Sequence, residues 1–155
     1  MNQLGEIQPV KLEYVFQVRV DFEERIRFHT PNGLRLYVPV VSGLVEGPRL
    51  QGRLLPRSGA DFGLNGQINA HYMLEASDGT PIYVRNQGYV YRSDGGVTPL
   101  DDPKWAPDAP RYFRCTPYFD CPEGPHDWLT RTVIVGTGQR CSDPDYTLFS
   151  YYAVL

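Results

Sequence analysis

Lysine is nearly missing from this sequence, with Lys11 and Lys104 alone among 155 residues. The net charge is −3 and the pI lies near 5.6. Without a concentrated basic stripe there is little to displace counterions from a phosphate backbone, so no nucleic-acid partner is expected. Cysteine is scarce as well. Cys115, Cys121 and Cys141 form an odd set with no C-x-x-C pair, which points to reduced thiols. His29, His71 and His126 are not at metal-ligand spacing with one another or with cysteine, so no metal is expected. No apolar run approaches the roughly 18 residues of a membrane span. The opening, MNQLGEIQPVKLEY, has no apolar stretch of signal-peptide length. The expectation is a cytoplasmic protein with no membrane partner. There is also no nucleophile elbow, P-loop or dinucleotide fingerprint, so no cofactor is expected.

Aromatic residues, by contrast, make up 13% of the chain, and eleven of them are tyrosine. Tyrosine couples apolar area to a polar tip, which suits both a half-wet cavity wall and an ordinary strand. Hydrophobic residues at 41% and charged residues at 21% fit one folded domain spanning residues 1–155. Period-two alternation is the main local signal. In residues 12–21, Leu12, Tyr14, Phe16, Val18 and Val20 alternate with Glu13, Gln17, Arg19 and Asp21. Further strands are read at 34–41, 49–55, 67–76, 81–91, 111–117, 129–136 and 146–154. Thr30-Pro31-Asn32-Gly33 and Ser77-Asp78-Gly79-Thr80 read as hairpin turns. Residues 93–110, with four prolines and two glycines, read as an exposed connection. One helical turn at most is expected, at 125–128.

These signals predict an all-β, antiparallel closed barrel of about eight strands or slightly more. Closure removes the exposed edges that such a sheet would otherwise carry. At about eight strands, the interior is either packed solid or holds one small ligand.

Residues 41–61 carry the densest information. Glycine inside a strand marks a bulge, a bend or a close approach, and four glycines alternate with strand residues here. The order Gly43, Gly47, Pro48, Leu50, Gly52, Leu55, Pro56, Gly59, Asp61 resembles the small barrel proteins grouped as domain of unknown function 3237, with one residue inserted in the last loop. The likeness continues through Ala70-His71-Tyr72, through Asp78, Gly79, Ile82, Tyr83, Val84 and Gly88, and through Tyr112-Phe113-Arg114. It ends on Phe119-Asp120, Trp128-Leu129-Thr130 and Gly136-Thr137-Gly138-Gln139-Arg140. It covers roughly residues 12–154 and implies a calycin-like barrel, oligomeric, with no agreed activity. His71, Asp120 and Thr130 stand where Arg, Glu and Asn are usual, which implies a different ligand. The exchange of Arg for His71 replaces a permanent cation by a group that titrates near neutrality.

Asp61, Asp120 and His71 are the candidate proton-transfer groups. Arg53, Arg114, Tyr72 and Trp128 are candidate substrate contacts. An arginine inside a barrel needs a carboxylate or an anionic ligand, so Arg53, Asp61 and Asp120 are expected together at one barrel mouth, with Arg114 or His71 nearby. Tyr72 points away from His71 on the same strand. Trp128 either faces a ligand ring or closes the barrel end. The expected function is a cofactor-free isomerase, cyclase or lyase acting on a small oxygenated cyclic or aromatic metabolite. The alternatives are a small-molecule carrier and a structural oligomer with a packed interior. A homodimer or higher homo-oligomer is expected, with the aromatic C-terminal strand as a contact surface or a barrel wall.

Overall fold

The structure, a computed structural model, describes residues 3–92 and 111–155; the proline-rich connection read at 93–110 lies outside them. Ten strands are present: β1 (Leu12–Phe22), β2 (Ile26–Thr30), β3 (Gly33–Glu46), β4 (Gly52–Leu54), β5 (Ala60–Asp61), β6 (Gln67–Ala76), β7 (Pro81–Arg92), β8 (Arg111–Asp120), β9 (Ile134–Ser142) and β10 (Asp145–Val154). A single 3₁₀ turn occupies Asp127–Thr130. The pairing runs β1-β10-β9-β8-β7-β6-β4-β3, and β3 returns to β1 to close the circuit. The result is an eight-stranded antiparallel barrel. Two strands are additional: β2, a hairpin arm on β3, and the two-residue β5, which pairs with β3 and β6 beyond the end of β4. Together β4 and β5 form one wall strand broken by the loop at 55–59. Among the described residues, no helix is long and apolar enough to cross a membrane.

Alternation decides which face looks inward. On β6, Ala70, Tyr72, Leu74 and Ala76 are buried, and on β7 Ile82, Val84 and Asn86. On β10 the buried set is Thr147, Phe149, Tyr151 and Ala153, so the aromatic C-terminal strand is a barrel wall. In β1 the simple alternation fails. A bulge between Tyr14 and Phe16 shifts the register, and Val15 and Phe16 are both fully buried. The extra residue inverts the parity, so Leu12 and Tyr14 are exposed while Phe16, Val18 and Val20 enter the core.

Two expected strands move. The run at 129–136 begins as the 3₁₀ turn, where Leu129 N–H bonds to the His126 carbonyl and the Thr132 hydroxyl to the Trp128 carbonyl. The strand itself starts at Ile134. The run at 49–55 shrinks to Gly52–Leu54 because Leu50 turns under the barrel end and is almost wholly buried there. That end is sealed by Leu50 and Leu129, with Trp128 packed edge-on against Phe16 and the Arg49 guanidinium 3.8 Å above the Trp128 ring. The opposite end is where β1 finishes and β10 begins. Here the buried Arg140 side chain bonds to Asp145 and donates to the Tyr146 carbonyl at 2.9 Å, while Arg25 holds the same Asp145 at 2.9 Å.

Candidate functional site

Asp61 lies opposite Val38 on β3 and Ala70 on β6, both of which are buried and face inward. Directly opposed residues in an antiparallel pair share a face, so the Asp61 side chain looks into the barrel. Its Oδ1 accepts the Asn69 N–H at 2.8 Å. Burial pushes its carboxyl up to about 6, opposed by that N–H, and among the described residues no cation offsets the burial.

The next groups come from three other strands. Asn86 on β7 stands opposite Ala70 and is fully buried, and apart from the neighbouring Cys115 thiol its amide has no hydrogen-bond partner among the described residues. Such an amide costs roughly 1–3 kcal/mol when left unpaired. Tyr72 on β6 and Tyr151 on β10 are buried to 2% and 0% exposure. Their strands are four apart around the circuit, so the two rings reach toward each other across the barrel. The hydroxyls are close enough to interact electrostatically, yet neither makes a hydrogen bond of good geometry. Burial pushes both well above the ordinary tyrosine range. Cys115 on β8 is buried beside Asn86, and burial pushes its thiol up to about 12. Electrostatic contact links Tyr72 to Asp61 and Cys115, and Tyr151 to Tyr72 and Cys115. One acid that titrates near neutrality thus faces three neutral hydrogen-bonding groups and a protonated thiol.

Around the Tyr151 ring the barrel is apolar. Phe16, Phe119 and Phe149 pack on the Tyr151 ring at centroid distances of 5.3, 5.8 and 6.1 Å.

Of the residues singled out in the sequence, Asp61 and Tyr72 meet here and the others do not. Arg53 faces outward and pairs with Glu75 at 3.2 Å, because β4 turns Gly52 and Leu54 to the other face. His71 faces outward, its Nδ1 2.7 Å from the Tyr83 hydroxyl. Arg114 is on the outer face, bonded to the Phe113 carbonyl at 2.9 Å and lying over the Tyr112 ring. Asp120 is exposed opposite Tyr83, at the sealed end of the barrel. Trp128 belongs to the seal. The expected cluster of Arg53, Asp61 and Asp120 is thus corrected: the three divide between two faces of the sheet. Asn86, Cys115 and Tyr151 were not anticipated. Asn86 had a readable signal, since it continues the apolar parity of Ile82 and Val84.

A separate cleft of about 360 Å³ lies on the outer face of β3 and β5, lined in part by Glu23, Tyr37, Arg57 and Phe62. It touches Ala60, whose neighbour Asp61 turns inward. Among the described residues, no group of three or more His, Cys, Asp and Glu side chains is placed to hold a metal ion.

Known proteins carry the same architecture. A protein of Rhodopseudomonas palustris called a UPF0311 protein is 32% identical over 72% of this chain and 75% of its own length. The crystal structure of a "beta-barrel like protein" from Acinetobacter baumannii superposes with a TM-score of 0.82, at 28% identity over 97% of this chain and 99% of that one. A structure described as an enzyme from Penicillium herquei shares the fold, with a TM-score of 0.70 at 16% identity over 97% and 98% of the two chains. The family model described as "Protein of unknown function (DUF3237)" matches residues 10–154. From Val10, just ahead of β1, to Val154 at the end of β10, this chain belongs to that family.

Proposed function

We propose that the barrel interior is the site of a cofactor-free acid–base reaction, of isomerase, cyclase or lyase type, on a small oxygenated cyclic or aromatic compound. Asp61 is the proton-transfer group in this reading. Its support is one arrangement: a half-buried carboxyl shares the barrel interior with a buried amide and two buried phenols whose polar atoms lack well-formed hydrogen bonds among the described residues. A carboxyl near 6 has both protonation states available close to neutral pH, as proton shuttling requires. The Penicillium herquei neighbour is called an enzyme, which fits this reading at the level of the fold. The carrier reading draws on the same unpartnered groups, and the two part on Asp61.

The test uses a total bacterial metabolite extract in D₂O. Protein and bound species are separated by ultrafiltration, and the species are followed by mass spectrometry. The enzyme reading expects at least one retained species to gain deuterium or change mass. The rate should rise with pH through about 6, and Asp61→Asn should retain the species without changing it. A species retained and released unchanged by the wild type establishes a carrier instead. If nothing is retained, both readings fall.

A further inference from the structure

We propose that the facing hydroxyls of Tyr72 and Tyr151 are the oxygen-binding floor of the pocket, and that its substrate is a neutral compound presenting a carbonyl or phenol oxygen to them. This inference rests on the reading of the barrel interior as a binding site.

The argument begins with hydrogen counting. Each phenol carries one hydrogen and two acceptor lone pairs. If the two hydroxyls bonded to each other, one of the two hydrogens would be used and the other would remain. That remaining O–H has no partner among the described residues, and the rings of Phe16, Phe119 and Phe149 packed around Tyr151 offer it none. Phenylalanine would pack at either position with the same ring area and without a stranded hydroxyl. Two hydroxyls from opposite sides of a barrel, interacting with each other and holding one O–H to spare, offer a ligand oxygen on the axis a donor and a neighbouring hydroxyl.

Charge defines the ligand further. The tyrosines and Cys115 remain protonated through the neutral range because burial raises all three. The one group among them that becomes charged is Asp61, and its charge is negative. The buried Arg140 side chain is bonded to Asp145, and among the described residues no cation acts on Asp61. A carboxylate or phosphate ligand would meet repulsion from Asp61 with no cation of the cluster to offset it. A neutral ketone or phenol meets donors on one side and a base on another.

The resulting step balances without a co-reactant. The Asp61 carboxylate takes a proton from the carbon beside the carbonyl. The C–H electron pair becomes the carbon–carbon double bond, and the carbonyl π pair moves to oxygen. That oxygen, now negative, is held by the Tyr72 and Tyr151 hydroxyls. The Asp61 carboxyl then returns the proton to a conjugated carbon, which completes an isomerisation and restores the carboxylate. The hydroxyls act where charge develops, the position at which donors contribute most to rate.

The test is made at equilibrium, on Asp61→Asn, which mimics the protonated acid. The probe is 2-naphthol, followed by fluorescence, with a series of substituted phenols of graded acidity as competitors. The expected result is binding that tightens as the phenol becomes more acidic. Tyr72→Phe and Tyr151→Phe, each combined with Asp61→Asn, should flatten that trend and loosen 2-naphthol by about 10-fold or more. Both single Phe variants should stay folded and melt close to the wild-type temperature, since each keeps its ring packing and leaves one O–H to spare, as in the wild type. Equal affinity with and without the hydroxyls would overturn the proposal, as would no binding of any phenol. Because no turnover is measured, a carrier would show the same pattern. Failure of the acid–base reading therefore leaves this result standing, and failure here leaves the Asp61 exchange test standing.

Discussion

Asp61 should make the folded protein less stable as pH rises, and Asp61→Asn should remove that effect. The ordinary carboxyl titrates at 3.8 and Asp61 in the folded barrel at about 6. Below 3.8 the group is protonated in both states and contributes nothing. Between the two values the unfolded chain has released the proton and the folded one still holds it. The native state then binds more protons, so stability falls as pH rises. Each pH unit is worth about 1.4 kcal/mol, and the full window about 3 kcal/mol. Above pH 6 the whole penalty is present. The groups electrostatically coupled to Asp61 do not obscure it, because Tyr72 and, through it, Cys115 stay protonated throughout. Asparagine keeps an acceptor for the Asn69 N–H and never ionises. Urea denaturation of wild type and Asp61→Asn from pH 4 to pH 8 isolates the effect, because every other titrating group cancels in the difference. The variant should match the wild type near pH 4 and exceed it by about 3 kcal/mol at pH 8. A difference that stays flat across this range, or a variant less stable at pH 8, would refute the reasoning.

Three further outcomes are expected. Arg53→Ala and Asp120→Ala should leave exchange activity and ligand retention unchanged, with stability shifts within about 1 kcal/mol by denaturation, since both residues lie outside the barrel. Gly59→Ala should lower stability by at least about 2 kcal/mol, because the added Cβ would sit 1.7 Å from the His71 carbonyl oxygen, where only backbone can yield; thermal melting reads this directly. Trp128→Ala should cost about 3–5 kcal/mol through loss of the barrel seal against Phe16, while the surviving folded fraction binds 2-naphthol with unchanged affinity.

The barrel was legible because its long strands obey one periodicity. Residues 67–76 and 81–92 alternate cleanly, and their turn at Ser77–Thr80 carries the glycine that a φ of +88° demands. The β2 arm was not legible, since Ile26, Phe28 and their neighbours bury no face and leave no pattern. The Val15 bulge was hidden too, because inserting one residue reverses parity without changing composition. Of the site, Asp61 and Tyr72 could be named but not oriented. Sidedness depends on register between strands far apart in sequence, and a polar residue alternating with valines reads equally well as an outward face. Arg53 shows the cost of that ambiguity. It is expected inside with a carboxylate of the barrel mouth, whereas its carboxylate partner is Glu75 on the outer face of the neighbouring strand.

The break between β4 and β5 has a consequence for how the carboxyl is held. Asp61 stands on the two-residue β5, at the exit of the loop at 55–59. Arg57 takes a left-handed conformation at φ +54° within that loop, its N–H bonded to the Val41 carbonyl. Gly59 and Asp61 nevertheless keep their places against β6. A change in the length of this loop would therefore not need to shift the register of any long strand, so the approach to one carboxyl can be altered by engineering while the rest of the barrel stays as it is.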